Sequence, residues 1–157
     1  MCLVAEENGH LVGFIDVEYE RVEGEVCYLK GGLGAVIWHL GVLPEYRGQG
    51  VARALWHTAK NTLIDMGIHR FEAWTQDDEA SCSWYEKNGF QMKDAYLNAF
   101  VRGSLDDATI TKLINPSAVD NMLGIRCLNF EAPIARKSEL KRICYRLHEV
   151  RVYEWRL

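Results

Sequence analysis

The sequence predicts an α/β (α+β) fold in which a central mixed, mostly antiparallel sheet is flanked by helices. Three observations support this class. A segment that alternates apolar and polar residues follows a tight-turn dipeptide, a nearly all-apolar run occupies residues 36–43, and later segments have apolar residues at helical spacing. The predicted order begins with a hairpin and continues strand, helix, strand, helix, strand, which is typical of a mixed sheet.

The first predicted element is a β-hairpin. Residues 3–6 and 11–20 are its expected strands, because apolar and polar side chains alternate along the second of them. Asn8-Gly9 between them is a dipeptide that two-residue hairpin turns favour.

The centre of the predicted sheet lies farther along the chain. Residues 26–30 could extend the sheet, residues 31–34 predict a flexible loop, and the apolar run at 36–43 predicts a central strand buried on both faces. An amphipathic helix follows and stops at Gly67. Its expected buried face consists of Ala52, Leu55, Ala59, Leu63 and Met66.

Two strands and a second helix complete this part of the sheet. Residues 70–75 predict a short strand, and residues 90–101 predict a longer one. Between them, Asp77-Asp78 is expected to cap a helix over residues 79–88, since Asp is a favourable residue at a helix N-terminus.

Residues 103–157 predict a C-terminal extension with strand-helix-strand character. Its expected elements are a helix from Leu105 that breaks at Asn115-Pro116, a strand around 126–130, a helix over 138–147 and a strand over 148–157. The second helix would bury a stripe of Leu140, Ile143 and Leu147. The final strand, rich in β-branched and aromatic residues, is expected to close a sheet edge.

Composition disfavours several classes of function. The 157 residues, 48% hydrophobic and 25% charged, suffice for one buried core and predict one domain. A formal charge of −4 disfavours general binding to nucleic acid or to an anionic membrane, because such binding needs a positive field. The apolar runs are too short for a membrane span and the first residues do not form a signal peptide, so we expect a cytoplasmic protein.

The cysteines and histidines predict neither disulfides nor a metal site. The five cysteines are an odd number without a C-x-x-C pair, and no histidines are paired at zinc-ligand spacing. We expect reduced side chains that pack as small hydrophobic residues. They are Cys2, Cys27, Cys82, Cys127 and Cys144.

The most informative segment is the glycine-rich turn at residues 42–53, between the central strand and the first helix. Gly48 and Gly50 remove side chains where a phosphate group would approach the backbone, and the helix offers unpaired amides and its positive dipole end. Arg47 and Arg53 add cationic donors. The turn lacks the Lys-Ser/Thr pair of a nucleoside-triphosphate loop and does not match the dinucleotide pattern, so it predicts a different phosphorylated cofactor.

Two motifs here resemble those of the GNAT superfamily of acyl-CoA-dependent N-acetyltransferases. Arg47, Gly50 and Ala52 occupy the defined positions of the family's R/Q-x-x-G-x-G/A signature. Residues 78–90 resemble its N-x-x-A-x-x-[FW]-Y-E-K-x-G-F block, at the distance downstream that the family requires. The resemblance covers about residues 2–102 and implies the GNAT-like form of the predicted sheet.

The resemblance implies transfer of an acetyl group from acetyl-CoA to a primary amine, by direct attack of the acceptor in a ternary complex and without a metal. Leu40-Gly41-Val42 is similar to the strand that contacts pantetheine, and an amide near Val42 would meet the developing oxyanion. Asp78 stands where many members carry an Asn, and helix capping is its alternative role. The implied cofactor-binding residues are Leu40, Val42, Leu43, Arg47, Gly48, Gln49, Gly50, Val51, Ala52, Arg53, Asp78 and Tyr85.

The resemblance also implies a catalytic acid. Tyr85 stands where the family places its tyrosine, and a phenol could protonate the departing thiolate, with packing in the core as the alternative. Candidate bases are His39 on the central strand, Glu72 on the following strand, and Asp16 and Glu18 on the hairpin. His39 could instead be a hydrogen-bonded core residue and Glu72 could face solvent. A water relay, or an amine deprotonated in bulk solvent, stays open.

The acceptor and the assembly are less defined by the sequence. The chain begins at what would be the family's second strand, so the first strand and the acceptor-side helices are expected to be missing. Residues 1–102 would form the acetyl-CoA-binding core, and residues 103–157 an extension on the same domain that could mediate a homodimer.

The acceptor could be a small polyamine-like or antibiotic amine, an amino acid or a protein amine, and the acidic positions would suit a cation. An acyl-CoA-binding sensor without activity and a dimeric interaction module are the alternative functions. Aromatic residues that could form an acceptor pocket or belong to the core are Tyr19, Tyr28, Trp38, Trp74 and Trp84.

Overall fold

The computed structural model describes residues 1–103 and 127–157. Within these ranges the strands are β1 (Cys2–Glu7), β2 (His10–Tyr19), β3 (Gly34–Val42), β4 (Arg70–Gln76), β5 (Gln91–Arg102), β6 (Cys127–Pro133) and β7 (Arg146–Arg156). The helices are α1 (Val51–Asp65), α2 (Glu79–Lys87) and α3 (Lys137–Leu140), with 3₁₀ turns at Pro44–Tyr46 and Ile134–Arg136. The strands pair in the order β1-β2-β3-β4-β7-β5-β6, which confirms the predicted mixed sheet with helices.

The chain divides into two compact units. One consists of residues 1–94 and 151–157, and the other of residues 95–150. β5 and β7 each contribute residues to both units.

The first unit opens with the predicted hairpin. β1 and β2 pair antiparallel, and Glu7 lies opposite His10. Asn8 and Gly9 between them have positive φ angles of 51° and 79°. Such a turn matches the right-handed twist of the two strands, and Asn and Gly adopt it at lower cost than other residues. β2 also pairs antiparallel with β3, so the hairpin is continuous with the centre of the sheet.

β3 and β4 are paired in parallel for only a short distance. Their register ends at Ile37 opposite Ala73, after four residue pairs. On its other side β3 bulges against β2, where the register shifts between Asp16 and Val17. Trp38 is the extra residue, and a bulge bends its strand and increases the local twist. The second half of β3 therefore continues without β4 beside it.

Helix α1 supplies much of the core of the first unit. Its buried residues are Leu55, Trp56, Ala59 and Leu63. Three of them belong to the predicted stripe, while Trp56 adds an edge-to-face contact with Phe71 at 5.0 Å between ring centroids. The predicted burial of Met66 was wrong, because this residue follows the last helical position and is 54% exposed. None of the described helices, α1 included, combines the length and apolar character needed to cross a membrane.

The loop after β2 differs from the prediction. Residues 26–30 were expected to extend the sheet, but they do not form a strand. Two buried carboxylates satisfy the amides of this loop instead. Glu20 accepts a hydrogen bond from the amide of Cys27 at 3.0 Å, and Glu72 accepts from the amides of residues 28–29 at 3.0 and 2.9 Å. Because these donors already have partners, the segment needs no neighbouring strand.

Arg70 neutralises these carboxylates inside the protein. Its side chain, in a residue only 2% exposed, pairs with Glu72 and lies 3.5 Å from Glu20 and 3.9 Å from Glu154. Burial raises the pKa of Glu20, but the backbone amides bonded to its carboxylate lower it, and the net pKa lies below the ordinary value. Glu20 therefore stays charged, held by these amides with Arg70 as a nearby cation.

β7 was predicted to close a sheet edge, and this prediction was wrong because the strand lies between β4 and β5. Val152 and Tyr153 are both 0% exposed. Neighbouring residues of a strand point to opposite faces, so both faces of β7 are covered at this point. Its β-branched and aromatic residues therefore fit an inner strand.

The second unit has a small core of its own. Its buried residues are Leu97, Ala99, Ala132 and Leu140. The helix predicted over 138–147 was too long, because α3 has four residues. The chain leaves the helix and returns to β5, where the amide of Tyr145 donates to the carbonyl of Phe100 at 3.1 Å. Ile143 and Leu147 still pack on the core, so the predicted stripe is found without the helix.

The remaining predicted elements lie near their expected bounds. β4, α2 and β5 correspond to the strand, helix and strand predicted over residues 70–101, and β6 to the strand predicted around 126–130. The helix predicted from Leu105, with its break at Asn115-Pro116, lies outside the described residues.

We expect Arg70→Met to lower the free energy of unfolding by about 3–5 kcal/mol, because it leaves buried carboxylates without their counter-charge. Urea denaturation of both proteins measures the change. Arg21→Met is the control, since Arg21 is exposed and should change stability by less than about 0.5 kcal/mol. A loss below about 1 kcal/mol for Arg70→Met would show that the carboxylates do not depend on this cation.

Candidate functional site

A groove of about 930 Å³ lies in the first unit, between the second half of β3, the turn before α1, the first turn of α1 and helix α2. Its lining residues are Leu40, Gly41, Val42, Tyr46, Arg47, Gly48, Gln49, Gly50, Val51, Ala52, Arg53, Asp78, Ala80, Ser81, Trp84, Tyr85, Lys87 and Asn88. Every residue expected to contact the cofactor lines this groove except Leu43. The structure thus brings together two motifs that are separate in sequence.

The glycine turn leaves open space at the N-terminus of α1. Gly48 and Gly50 have φ angles of 76° and 85°, in the left-handed region that favours glycine. A Cβ built on either would meet no atom within 4 Å. The first amides of a helix lack an intrahelical partner. Gly50 is the N-terminal cap residue and has no side chain that could accept a hydrogen bond from them. The turn is therefore open to a group that accepts hydrogen bonds.

Charge at this end of α1 also favours an anion. The first turn of the helix contains no acidic residue, and it carries Arg53 at the positive end of the helix dipole. Arg47 lines the same groove and donates from Nε to the carbonyl of Val42 at 3.1 Å. Two cations and the unpaired amides of a helix N-terminus together favour a bound anion such as a phosphate group.

The second half of β3 presents backbone groups to the groove. The amide of Leu43 donates to the carbonyl of Val12 in β2 at 2.9 Å. Since amides alternate in direction along a strand, those of Leu40 and Val42 point to the opposite side, beyond the last pair with β4. An extended ligand could pair with these groups as an added strand does.

Helix α2 forms the opposite wall and begins as predicted. The side chain of Asp78 accepts the amide of Ser81 at 2.9 Å, which confirms the expected N-terminal cap. Asp78 also lines the groove, at the position where many members of the family that the chain resembles carry an Asn.

Tyr85 belongs to both the groove and the core. It is 8% exposed, and its ring stacks on Tyr153 at 5.6 Å and meets Phe90 edge-on at 5.2 Å. Burial, together with the charge of Asp78, raises the pKa of Tyr85 to about 12. Among the described residues no group hydrogen-bonds its hydroxyl. The phenol therefore stays protonated and has a proton to donate.

His39 lies outside the groove lining. Its side chain is 66% exposed, and its Nδ1 lies 3.4 Å from a carboxylate oxygen of Asp16. The alternative of a buried core histidine was therefore wrong. A role for His39 as a base stays a prediction.

Glu72 does not fit the role of a base. The residue is 0% exposed, so the expectation that it could face solvent was wrong. Its carboxylate is paired with Arg70 and accepts the amides of residues 28–29, and it does not line the groove. A buried carboxylate whose oxygens are already bonded to Arg70 and to two amides has a structural role instead.

Several lining residues were not among those expected from the sequence to contact the cofactor. They are Tyr46, Ala80, Ser81, Trp84, Lys87 and Asn88. Five of them lie on α2 or at its end, and the spacing of Ser81, Trp84 and Asn88 follows one helical face that also contains Tyr85. Because Tyr85 was expected in the site, the other residues at helical spacing from it could have been predicted to line the groove as well.

The chemistry of the described residues offers no metal centre. No group of three or more His, Cys, Asp or Glu side chains in residues 1–103 and 127–157 could hold a metal ion. All five cysteines are free in the structure.

The chain is similar in sequence to known proteins. The model of the acetyltransferase (GNAT) family matches residues 1–90. An acetyltransferase of Sodalis glossinidius (strain morsitans) is 35% identical over 96 residues, which are 60% of this chain and 60% of the relative. The chain thus spans about 60% of the length of the curated relatives it matches.

Solved structures are similar in fold. A GNAT family acetyltransferase from Elizabethkingia anophelis, with acetyl-CoA bound, has a TM-score of 0.55 and 12% identity and covers 99% of this chain and 75% of its own. Arabidopsis thaliana Naa50, in complex with the bisubstrate analogue CoA-Ac-MVNAL, has a TM-score of 0.56 and 16% identity, with coverage of 99% and 72%. At these identities the likeness concerns the fold alone.

Proposed function

The chain belongs to the acetyltransferase (GNAT) family, and on that premise we propose that it transfers the acetyl group of acetyl-CoA to a primary amine. The observation that carries this proposal is the groove itself. It joins a helix N-terminus without a side-chain cap, and two arginines, to the second half of β3, where the amides of Leu40 and Val42 point away from β2 and beyond the last pair with β4.

The residues of the groove fit the parts of coenzyme A. The open glycine turn and the first amides of α1 would hold the diphosphate, with Arg47 and Arg53 as cationic donors. The amide of Val42 would pair with the pantetheine arm. When bound, acetyl-CoA supplies an acetyl thioester, whose carbonyl carbon is open to attack by an amine.

In the proposed reaction the neutral nitrogen of the acceptor forms a C–N bond to the acetyl carbon as the C–S bond breaks. The nitrogen loses a proton to water, and the departing sulfur gains one. A backbone amide of β3 near Val42, that of Leu40, would stabilise the negative charge that develops on the carbonyl oxygen. We propose direct attack in a ternary complex, without a covalent enzyme intermediate.

Tyr85 would serve the departing sulfur. Its pKa of about 12 lies above the ordinary thiol value of about 8.5, so complete transfer of the phenolic proton to a thiolate is uphill. The hydroxyl can still donate a hydrogen bond to the sulfur as negative charge develops there. Water can then supply the proton, and the acceptor reacts as an amine that is already deprotonated in bulk solvent.

A sensor that binds acyl-CoA without turnover is the second candidate. The observation that favours it is Asp78, whose carboxylate caps α2 where the family often carries an amide. Turnover with any amine separates the two candidates.

Gly50→Asp should weaken binding of coenzyme A by about 100-fold or more, because a carboxylate would face the diphosphate. Calorimetric titration with coenzyme A measures this affinity. Gly67→Asp is a matched control, since Gly67 has a φ of 87° and open space at its Cβ but lies beyond the other end of α1. Both variants place a non-glycine residue at a similar positive φ angle. Equal affinities would therefore contradict binding of the diphosphate at the glycine turn.

Tyr85→Phe should lower kcat about 10- to 100-fold, the effect of losing one hydrogen bond to a charged group, while affinity for acetyl-CoA stays within about twofold. Thiol release under saturating acceptor measures kcat. The ring and its packing on Tyr153 remain in this variant. Tyr46→Phe, which removes another hydroxyl from the groove, is the control and should leave kcat unchanged. Equal loss in both variants would contradict a specific role for Tyr85.

A further inference from the structure

We propose that Tyr153 is a positioning residue for acetyl transfer, whose ring fixes the orientation of the Tyr85 phenol that serves the departing sulfur. This inference rests on the function proposed above. Tyr153 lies in β7, in the part of that strand that belongs to the first unit together with Tyr85. It is far from Tyr85 in sequence and belongs to neither motif of the groove.

Packing sets the orientation of the Tyr85 ring, because among the described residues no hydrogen bond holds its hydroxyl. Three rings contact it. Trp84 and Phe90 meet it edge-on, each at 5.2 Å, and Tyr153 stacks on it at 5.6 Å with 20° between the ring planes. Trp84 lies on α2 and Phe90 closely follows that helix. Tyr153 is therefore the one of these three that comes from a distant part of the chain.

Tyr153 has a defined position of its own. It is 0% exposed, and its hydroxyl donates to Oε1 of Glu86 at 3.0 Å. Two positions earlier in β7, Arg151 donates to Sγ of Cys82 at 3.5 Å. Both acceptors lie on α2, one helical turn apart, and the buried residues of this helix are Cys82 and Tyr85. The end of β7 thus holds the helix that forms one wall of the groove.

The proposed chemistry depends on this placement. A phenol assists a departing sulfur only from hydrogen-bond distance and with its O–H directed at that atom. A displacement of about 1 Å can lower a rate by about 100-fold. A smaller side chain in place of Tyr153 would leave space into which the Tyr85 ring could turn. Tyr153 does not line the groove, so its effect on the reaction passes through Tyr85.

The test begins with Tyr153→Leu and Tyr153→Phe. Thiol release from acetyl-CoA gives kcat, at a saturating concentration of the most active acceptor among butylamine, diaminobutane, lysine and a short peptide with a free α-amine. We expect Tyr153→Leu to lower kcat about tenfold or more, while calorimetry shows an affinity for coenzyme A within about twofold. Tyr153→Phe keeps the stacked ring and loses only the bond to the exposed Glu86, so its kcat should stay within about threefold.

Phe71→Leu is the matched control for the loss of a buried ring. Phe71 is also 0% exposed and belongs to the same core, but its ring contacts are with Trp56 and Trp155. Its kcat should stay within about twofold. Thermal denaturation establishes that each variant is folded at the assay temperature. If Tyr153→Leu is unfolded there, Tyr153→Met replaces it, since the longer flexible side chain fills more of the space.

The decisive comparison introduces Tyr153→Leu into the Tyr85→Phe variant. Without the Tyr85 hydroxyl there is no donor left to position, so the second substitution should change kcat by less than about twofold. A residue that only stabilises the fold would lower kcat by the same factor in both backgrounds, and that result would overturn the inference.

Other results separate this inference from the proposed function. Normal kcat in Tyr153→Leu or in Tyr85→Phe would overturn the positioning role while acetyl transfer would stand. Absence of coenzyme A binding by the unmodified protein, or of thiol release with every acceptor, would overturn acetyl transfer and the positioning role with it.

Discussion

The short parallel pairing of β3 with β4 is the constraint on which the site depends. Four residue pairs hold the strands together, and they part after Ile37 and Ala73. Had the pairing continued, β4 would occupy the side of β3 that a ligand arm needs. The bulge at Trp38 bends β3 directly after the last pair with β4, and the groove lies along the part of the strand that follows.

Buried charged residues connect β3 and β4 where the two strands are still paired. Arg70 begins β4, and its guanidinium pairs with Glu72 and donates to the carbonyl of Gly32 at 3.0 Å. Glu20, at the end of β2, ties the loop back through the amide of Gly34 at 2.8 Å. These contacts join β2, the loop, β3 and β4 below the separation. We infer that they hold the strands rigid there, so that the free half of β3 keeps a defined position.

Local patterns predicted much of the fold and the site, whereas features set by distant partners were missed. The turn at Asn8-Gly9, the cap at Asp78 and the glycine turn before α1 each depend on a few neighbouring residues, so the sequence predicts them directly. The ion pair of Arg70 with Glu20 joins residues far apart in sequence, and no local pattern indicates it. The position of β7 was mispredicted for the same reason. Its neighbours in the sheet, β4 and β5, are not its neighbours in the chain.

The central claim is that the groove binds acetyl-CoA for transfer to an amine. The most direct measurement is calorimetric titration of the protein with acetyl-CoA and with coenzyme A, followed by thiol release in the presence of a mixed panel of primary amines. The account predicts saturable binding of both ligands and thiol release that depends on an added amine. Lack of binding by either ligand would contradict it.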